Sequence, residues 1–273
     1  MSFEVTRVLH RKRTKHHDLV LFQNPFFGKM LMLDGATQIT KGDEFIYQEM
    51  MSHVPLMGHG SAKDVLIIGG GDCGIAKEVL KHPSVHRVVQ VEIDASVVEF
   101  SREHFPEFTE PTFADSRFES VIQDGMTYAA ETAETFDVII VDSTDPQGPG
   151  EVLFSRAFYA ACRRCLKKRG ILVTQNGVPF FQPGELMSSL RHFGDIFSSS
   201  GCYIASIPTY IGGHMTMGWA SGGVNLPAVP LETLRRRYVA AGAFATKYWT
   251  PAVQQAAFAL PRFIEEISEQ AKA

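Results

Sequence analysis

The sequence has little cysteine, no surplus of positive charge and no long apolar run. Its four cysteines are too few and too scattered to form a disulfide framework. Twenty-six basic side chains against 30 acidic ones leave a net charge of −4, which argues against a nucleic-acid-binding protein. No apolar run approaches the ~20 residues of a membrane helix, and the residues after Met1 lack the basic and apolar regions of a signal peptide. We therefore expect a cytoplasmic protein that binds neither nucleic acid nor membrane.

The chain otherwise has the composition of an ordinary folded protein. Of its 273 residues 45% are apolar and 21% are charged, which excludes a disordered chain. This length fits one large domain, or a core domain with a smaller appendage. We place the division between an N-terminal β unit with its connecting helix, residues 1–57, and a core domain, residues 58–273.

The N-terminal unit contains short apolar runs at 19–22 and 29–33, each followed by turn residues. This pattern predicts a small antiparallel β unit. Because strands so short usually pack on a partner, we expect the unit at a subunit contact. From residue 41 the apolar spacing becomes helical, with Asp43 as the predicted cap and Pro55 near the predicted end.

Strand-like and helix-like segments alternate after residue 58. Continuous valine and isoleucine runs separated by amphipathic segments predict a parallel sheet covered on both faces, and hence an α/β fold. The predicted parallel strands include 65–68, 88–91, 121–122, 138–141 and 171–174. The predicted helices lie near 75–82, 95–104, 126–133 and 154–168. Two further runs, 204–207 and 215–220, are expected to form a closing antiparallel pair.

A glycine-rich loop, residues 69–74, follows the first predicted buried strand and opens a helix. Glycines there let the backbone approach a ligand. Glu92 ends the next strand, 21 residues after Gly71, where a carboxylate can bind two ribose hydroxyls. Asp124 and Gly125 end the third strand, where an adenine would lie. The alternative is an ordinary tight turn with a solvent-facing acid.

Three aspartates, Asp72, Asp142 and Asp145, are predicted to converge beyond the carboxyl ends of the strands. An anion in the glycine loop suits a ligand with a positive end rather than a phosphate or a carboxylate. Three carboxylates in one crevice repel one another unless cations fill it. The structural alternative for Asp142 and Asp145 is helix capping next to a proline-bounded loop.

Five motifs, in order, resemble those of the polyamine aminopropyltransferases, the spermidine synthase family, and most closely its bacterial branch. The resemblance covers nearly the whole chain; its motifs lie at 43–56, 65–72, 91–94, 142–146 and 208–210. It implies a Rossmann-like catalytic domain of the class I methyltransferase type, a small N-terminal antiparallel β domain, and a homodimer or homotetramer.

The activity that the resemblance implies is transfer of the aminopropyl group of decarboxylated S-adenosylmethionine to putrescine. The products are spermidine and methylthioadenosine. The sulfonium is already a good leaving group, so no metal and no cofactor beyond the co-substrate is expected. Cadaverine or another polyamine is an alternative acceptor, because no residue in the sequence fixes the acceptor length.

The same resemblance assigns roles residue by residue. Asp142 matches the proton acceptor, and Tyr47 and Tyr210 match tyrosines that position the attacking amine. The residues implied for the donor and its nucleoside are His17, Asp72, Glu92, Asp124, Gly125 and Pro149. The residues implied for the polyamine are Gln48, Asp72, Asp142, Ser143, Thr144, Asp145 and Gln175.

The chain departs from the family pattern at three of its positions. His17 stands where a glutamine is common, and Gln48 where bacterial members often have histidine; both keep hydrogen-bonding ability. Cys73 replaces a glycine of the loop, which we expect to be tolerated only if its backbone is not strongly left-handed.

Other functions explain the residues less well. An S-adenosylmethionine-dependent methyltransferase would share the fold and the role of Glu92, but it would not use Asp72 and the paired acids at 142 and 145. A dinucleotide oxidoreductase fits the residues less well still. A non-catalytic polyamine-binding protein would not need Asp142 and both tyrosines. Cys162 and Cys165 have the spacing of a redox or zinc pair, but without a second pair they are predicted to be two half-buried thiols.

Overall fold

The computed structural model describes residues 2–14, 18–144, 146 and 148–272. Within them lie two sheets. The N-terminal sheet is antiparallel, with strands in chain order: β1 (Arg7–Arg13), β2 (Asp18–Asn24), β3 (Gly28–Leu33) and β4 (Ala36–Thr40). Asp34 and Gly35 join the last two strands with φ of 52° and 85°, the left-handed conformations of a two-residue hairpin turn.

The central sheet forms the core of the chain. Its strands are β5 (Asp64–Gly69), β6 (Arg87–Glu92), β7 (Phe118–Ile122), β8 (Phe136–Asp142), β9 (Leu166–Gln175), β10 (Ser199–Ala205) and β11 (Met215–Ser221). Their order is β10-β11-β9-β8-β5-β6-β7. The pairs among β5 to β9 are parallel. β10 and β11 close one edge as an antiparallel pair, as predicted, but β10 covers 199–205 and the predicted run 204–207 lies too late in the chain.

Helices cover both faces of the central sheet. They are α1 (Glu44–His59), α2 (Gly74–Leu80), α3 (Ala95–His104), α4 (Pro106–Ala114), α5 (Gly125–Glu131), α6 (Arg156–Cys165), α7 (Pro183–Ile196), α8 (Leu231–Ala240), α9 (Pro251–Ala256) and α10 (Arg262–Lys272). Short 3-10 helices occupy Gly148–Phe154 and Leu226–Ala228. None of the described helices is both long and apolar enough to cross a membrane.

The strand sequences explain why the sheet needs helices on both sides. Val65 and Ile67 of β5 pack in one apolar cluster with α1 and α2, and Leu66 and Ile68 pack in the opposite cluster with α6 and α7. Successive side chains of a strand point to opposite faces, so a run of apolar residues buries both. The α/β fold with its N-terminal antiparallel sheet confirms the predicted fold class.

The N-terminal sheet packs on the core domain through its own apolar face. Leu19, Leu21 and Leu31 are fully or almost fully buried and form a cluster with Phe105 and Phe108, next to and within α4. The sheet is therefore held against the core within one chain. Residues 57 and 58 both lie inside α1, and the division into domains at that point stays a prediction.

Two predictions about α1 are wrong. The helix does not end near Pro55 but continues to His59, where Gly60 with φ 81° forms a left-handed cap and Arg237 donates to the carbonyls of Met57 and Gly58. Asp43 stands at the N-cap position, but its side chain makes no capping bond. It bonds elsewhere, as described below.

The predicted helix at 154–168 is too long at both ends. A 3-10 helix covers Gly148–Phe154, Ser155 caps α6 by accepting from the Phe158 N–H, and residues 166–168 already belong to β9. The helical periodicity continues into the strand because Leu166 is buried beside Cys162 and Cys165.

We predict that Glu49 is the main polar support of α1. Its carboxylate is 2% exposed and accepts from the backbone N–H groups of Lys247, Tyr248 and Trp249 at 2.7, 2.9 and 2.7 Å. Glu49→Ala leaves three donors without their acceptor and should lower the free energy of unfolding by about 3 kcal/mol or more. Urea unfolding followed by circular dichroism measures this, with the exposed Glu232→Ala as the control. A loss below about 1 kcal/mol would contradict it.

Candidate active site

A cavity of about 410 Å³ opens beyond the carboxyl ends of β5, β6, β8 and β9. This is where open α/β sheets bind their ligands, at the point where the order of strands reverses. The N-terminal sheet contributes to the wall through Leu31, Leu33 and residues 35–40. Apart from His17, the sequence analysis placed no residue of that sheet in the site, so the part of residues 31–40 in the cavity wall was missed.

The glycine loop has a backbone that side chains would block. Gly69 and Gly70 have φ of 85° and 67°, and a Cβ on Gly69 would collide with the Asp142 backbone carbonyl. A Cβ on Gly71 would lie 2.9 Å from the Val97 side chain and 3.1 Å from Glu92 Oε2. The loop therefore brings bare backbone to the cavity beside the carboxylate of Glu92.

Cys73 contradicts the expectation for its position. Its φ is 65°, in the left-handed region, and it is completely buried beside Gln90. A side chain in that conformation costs about 1 kcal/mol or more. Burial, the largest cause, raises the pKa of the thiol to about 12, so this cysteine stays a neutral, apolar part of the loop.

The cavity brings together the predicted nucleoside residues that the structure describes. Glu92 is 8% exposed, and its Oε1 accepts from the Asp94 N–H at 2.9 Å, which holds the carboxylate at the end of β6. Asp124 caps α5 through the Thr127 N–H at 2.7 Å. Gly125 lies beside it, and a Cβ there would collide with Ile68. Glu92, Asp124 and Gly125 all line the cavity.

Asp72 and Asp142 place two carboxylates in the wall of the same cavity. Asp72 Oδ1 accepts from the Gly74 N–H at 2.6 Å, and Asp142 Oδ1 accepts from the Tyr47 hydroxyl at 2.7 Å. Burial raises the pKa of Asp72 to about 6. Burial, followed by the charge of Asp72, raises the pKa of Asp142 to about 7. The cavity therefore favours the binding of cations, which would stabilise the ionised form of both acids.

The two tyrosines differ in what their hydroxyls contact. Tyr47, on α1, donates to Asp142, whereas the Tyr210 hydroxyl donates to the backbone carbonyl of Gln38 in β4 at 2.7 Å. Their rings meet edge to face with centroids 6.1 Å apart. Both side chains line the cavity, and together they join α1, the N-terminal sheet and the 207–211 segment around Asp142.

Asp43 holds this arrangement from behind. It is 4% exposed and accepts from the Thr40 hydroxyl at 2.6 Å and from the Thr209 N–H at 2.8 Å, with a further short bond from the Thr209 hydroxyl. Thr40 ends β4, and Thr209 precedes Tyr210. The residue that the sequence predicted as a helix cap therefore connects three segments of the cavity wall.

Two glutamines of the cavity wall differ in their hydrogen bonds. The Gln48 amide is 2% exposed and makes no hydrogen bond to any described residue, while its side chain fills the space above Gly74. Gln175 Nε2 donates to the Ser143 carbonyl at 3.1 Å, which ties the end of β9 to the end of β8. Gln48, Gln175, Ser143 and Thr144 all line the cavity.

Some predicted site residues cannot be placed. His17 and Asp145 lie outside the described residues, and so does the side chain of Pro149. Conversely, the sequence analysis missed Glu44, Gln182 and Met215, which line the cavity. Glu44 lies in the motif at 43–56, so the sequence could have indicated it. Nothing in the local sequence pattern indicates that Gln182 or Met215 belongs to the site.

Cys162 and Cys165 do not form a metal or disulfide site. Both thiols are free and at most 1% exposed, so they are more deeply buried than predicted. Burial raises the pKa of each. Across the residues that the structure describes, no group of three or more histidine, cysteine, aspartate or glutamate side chains could hold a metal ion.

Comparison with known proteins identifies the family. Residues 44–229 match the spermine/spermidine synthase domain, and residues 1–41 match the spermidine synthase tetramerisation domain. The chain therefore belongs to the spermine/spermidine synthase family, as the sequence motifs indicated.

Curated relatives and solved structures agree. The polyamine aminopropyltransferase of Ruegeria sp. (strain TM1040) is 52% identical over 97% of this chain and 93% of its own length. The polyamine aminopropyltransferase of Pseudomonas syringae pv. tomato is 51% identical over 96% of this chain and 91% of its own length. A crystal structure of a spermidine synthase in complex with the transition state analogue AdoDATO superposes with a TM-score of 0.92 and 35% identity, covering 98% of this chain and 90% of that one. The crystal structure of the spermidine synthase from Thermotoga maritima superposes with a TM-score of 0.89 and 33% identity. The match covers 98% of this chain and 89% of that one.

The raised pKa values predict a pH-dependent stability. A folded-state pKa of about 7 for Asp142 lies above its ordinary 3.8, so between these values the folded protein holds more protons than the unfolded chain. Stability contributed by the protonated acid is therefore lost as pH rises through 7. Asp142→Asn should be the more stable of the two proteins at pH 5 and at pH 8.5, and its advantage in unfolding free energy should grow by roughly 2 kcal/mol between these pH values.

Urea unfolding of both proteins at the two pH values provides the measurement. Asp195→Asn, on the exposed side of α7, is the matched control, and its difference in unfolding free energy from the unmodified protein should not change between the two pH values. A difference between the Asp142 variant and the unmodified protein that is the same at both pH values would show that Asp142 ionises normally.

Proposed function

We propose that the chain transfers the aminopropyl group of decarboxylated S-adenosylmethionine to putrescine, yielding spermidine and methylthioadenosine. The observation that carries the proposal is the pair of carboxylates in one cavity, Asp72 at the glycine loop and Asp142 hydrogen-bonded to Tyr47. Family membership and relatives named polyamine aminopropyltransferase support it.

The donor fits the β5–β6 side of the cavity. Glu92 is positioned to accept hydrogen bonds from two ribose hydroxyls, and Asp124 and Gly125 lie where the adenine would follow. Asp72 then stands near the ammonium end of the aminopropyl chain. Because decarboxylation removes the anionic group of S-adenosylmethionine, Asp72 attracts this donor and repels the carboxylated one. The same contrast argues against a methyltransferase.

The acceptor fits the β8–β9 side, where Asp142 is the proposed base. The attacking amine gives a proton to Asp142, forms a bond to the carbon next to sulfur, and the carbon–sulfur electron pair leaves with the neutral thioether. Tyr47 orients the base through its 2.7 Å hydrogen bond. The protein supplies alignment and proton transfer, since the sulfonium already activates the leaving group.

Donor binding should itself activate the base. In the free protein burial and Asp72 hold the pKa of Asp142 near 7, so the acid is partly protonated at neutral pH. An ammonium bound at Asp72 cancels that repulsion and lowers the pKa of Asp142. The carboxylate form is then present when the amine arrives, which favours a sequence in which the donor binds first.

The proposed assembly is a homodimer or homotetramer formed through the N-terminal sheet, whose residues 1–41 match the tetramerisation domain. β1 is an edge strand and exposes Val8 at 57%. Decarboxylated S-adenosylmethionine acts as a co-substrate, with no further cofactor. The cytoplasmic location stays a prediction.

The first test of the function concerns the base. Asp142→Asn should keep donor affinity but lower methylthioadenosine release by roughly 10²–10⁴-fold, the usual effect of losing a general base. In the unmodified protein kcat/KM for the donor, which reports the free protein, should rise with pH through about 7, as Asp142 ionises. Asp195→Asn is the control. Near-native turnover of the Asp142 variant at neutral pH would show that another group accepts the proton.

The second test concerns the donor. The decarboxylated donor should bind far more tightly than S-adenosylmethionine, because only the latter places a carboxylate against Asp72. Asp72→Asn should narrow that ratio by about tenfold or more, the effect of one charge-assisted contact. Isothermal titration calorimetry with both donors measures it. Equal affinities in the unmodified protein would reject this role of Asp72 and favour a methyltransferase.

A further inference from the structure

The helices α1 and α2 contact each other through buried polar side chains as well as apolar ones. The Gln48 amide of α1 fills the space above Gly74, the first residue of α2. One turn further along α1, the buried Ser52 hydroxyl donates to the Ile75 carbonyl at 3.3 Å. The two helices therefore approach closely at the start of α2, where the glycine loop ends.

Three buried titratable side chains continue this interface away from the cavity. They are His53 on α1, Glu78 on α2 and His82, two residues after α2. His53 Nε2 lies 3.2 Å from Glu78 Oε2, and His53 Nδ1 lies 2.9 Å from His82 Nε2. Both ring nitrogens of His53 therefore have a hydrogen-bond partner on or next to α2.

The charge of Glu78 fixes the direction of these hydrogen bonds. Burial opposes its ionisation, but hydrogen bonds from His53 and Lys81 outweigh burial and lower the pKa of the Glu78 carboxyl to about 2. An ionised carboxylate only accepts, so His53 Nε2 carries a proton. Burial lowers the pKa of His53 and holds that of His82 well below its ordinary value, so both rings are neutral. His53 Nδ1 therefore accepts from His82 Nε2.

Further contacts hold this hydrogen-bond chain in place. The His53 ring packs against the rings of Phe244 and Trp249, with centroids 5.0 and 5.4 Å away. Lys81, whose ammonium lies 2.5 Å from the carboxylate of the chain, also donates to the Ala245 carbonyl at 3.0 Å. Sliding one helix along the other would leave buried donors and acceptors unpaired, which a buried polar network penalises.

The two helices also carry groups of the candidate active site. Tyr47 on α1 donates to Asp142, and the Gly74 N–H at the start of α2 donates to Asp72. A shift of α2 against α1 would therefore change the separation between Asp72 and the Tyr47–Asp142 pair. Buried directional contacts suit the task of fixing a register, because they are satisfied in only one arrangement.

We propose that the hydrogen-bond chain from His82 through His53 to Glu78 sets the register of α2 against α1, and thereby the distance between Asp72 and Asp142. None of the three side chains lines the cavity, so they are positioning residues that act through the helices. A displacement of about 1 Å between reacting groups costs as much as about 10²-fold in rate. The expected effect on turnover rests on the proposed function.

Two substitutions of His53 separate its hydrogen bonds from its packing. The amide of His53→Gln can donate to Glu78 and accept from His82, whereas the side chain of His53→Met has a similar length and does neither. His86→Met, at an exposed histidine, is the matched control. Methylthioadenosine release at saturating donor and putrescine gives kcat for each protein, and calorimetry gives its affinity for methylthioadenosine.

The kcat should fall about tenfold or more in His53→Met, recover most of its value in His53→Gln and stay unchanged in His86→Met. Methylthioadenosine has no ammonium to place against Asp72, so its affinity should be the same in all these proteins. A native kcat in a folded His53→Met would overturn the inference. Losses of kcat that are equal in His53→Gln and His53→Met would also overturn it.

A measurement without substrate separates this inference from the proposed function. The coupling free energy between Asp72→Asn and Asp142→Asn, obtained by urea unfolding at pH 8.5, reports the repulsion between the two carboxylates. The coupling should be smaller in the His53→Met background, where the acids are free to move apart, and be retained in His53→Gln. Equal coupling in all backgrounds rejects the inference, whereas an unmodified protein without turnover rejects the proposed function alone. If His53→Met does not fold, His82→Gln and His82→Met repeat the comparison at the other end of the chain.

Discussion

The burial of two carboxylates in one cavity is the constraint on which the rest of this site depends. Asp72 lies in the loop beyond β5 and Asp142 at the end of β8, and these neighbouring strands pair Gly69 with Asp142. Their raised pKa values record the free-energy cost of that placement. Tyr47 and the Gly74 N–H offset part of the cost through hydrogen bonds, and cationic substrates offset more. The same arrangement therefore destabilises the empty fold and favours the bound state.

Contacts from several segments hold the residues around the two acids in place. Glycines at 69 and 70 let the loop approach the backbone of Asp142, and Asp43 joins the N-terminal sheet to the segment before Tyr210. Glu49 holds the helix that carries Tyr47 through three backbone groups of a distant loop. Strain and buried charge are tolerated at functional sites only where such surrounding contacts determine the geometry. Here these contacts come from both sheets.

Much of the fold was predictable because its signals are local. Valine and isoleucine runs such as 65–68 and 138–141 identify strands buried on both faces, and the turn at Asp34 and Gly35 identifies a hairpin. The site was predictable where strand ends carry polar residues, as at Glu92 and Asp142. The features that the sequence did not predict depend on contacts between residues far apart in the chain. They are the partners of Asp43, the continuation of α1 past Pro55, and the cavity wall formed by the N-terminal sheet. The expectation that Cys73 avoids a left-handed backbone was wrong for a different reason, because the surrounding packing overrides the local preference of this residue.

The position of the N-terminal sheet links assembly to the chemistry. β1 and β4 are opposite edges of one four-stranded sheet, about 14 Å apart at the usual strand spacing. β4 accepts the Tyr210 hydroxyl bond, while β1 is exposed at the other edge, where a neighbouring subunit would add. The paired strands of one sheet therefore connect the two places. If an acceptor orders β4, it would strengthen the association of subunits at β1. By thermodynamic reciprocity, association would then tighten acceptor binding to the same degree. The affinity for polyamine would therefore depend on protein concentration.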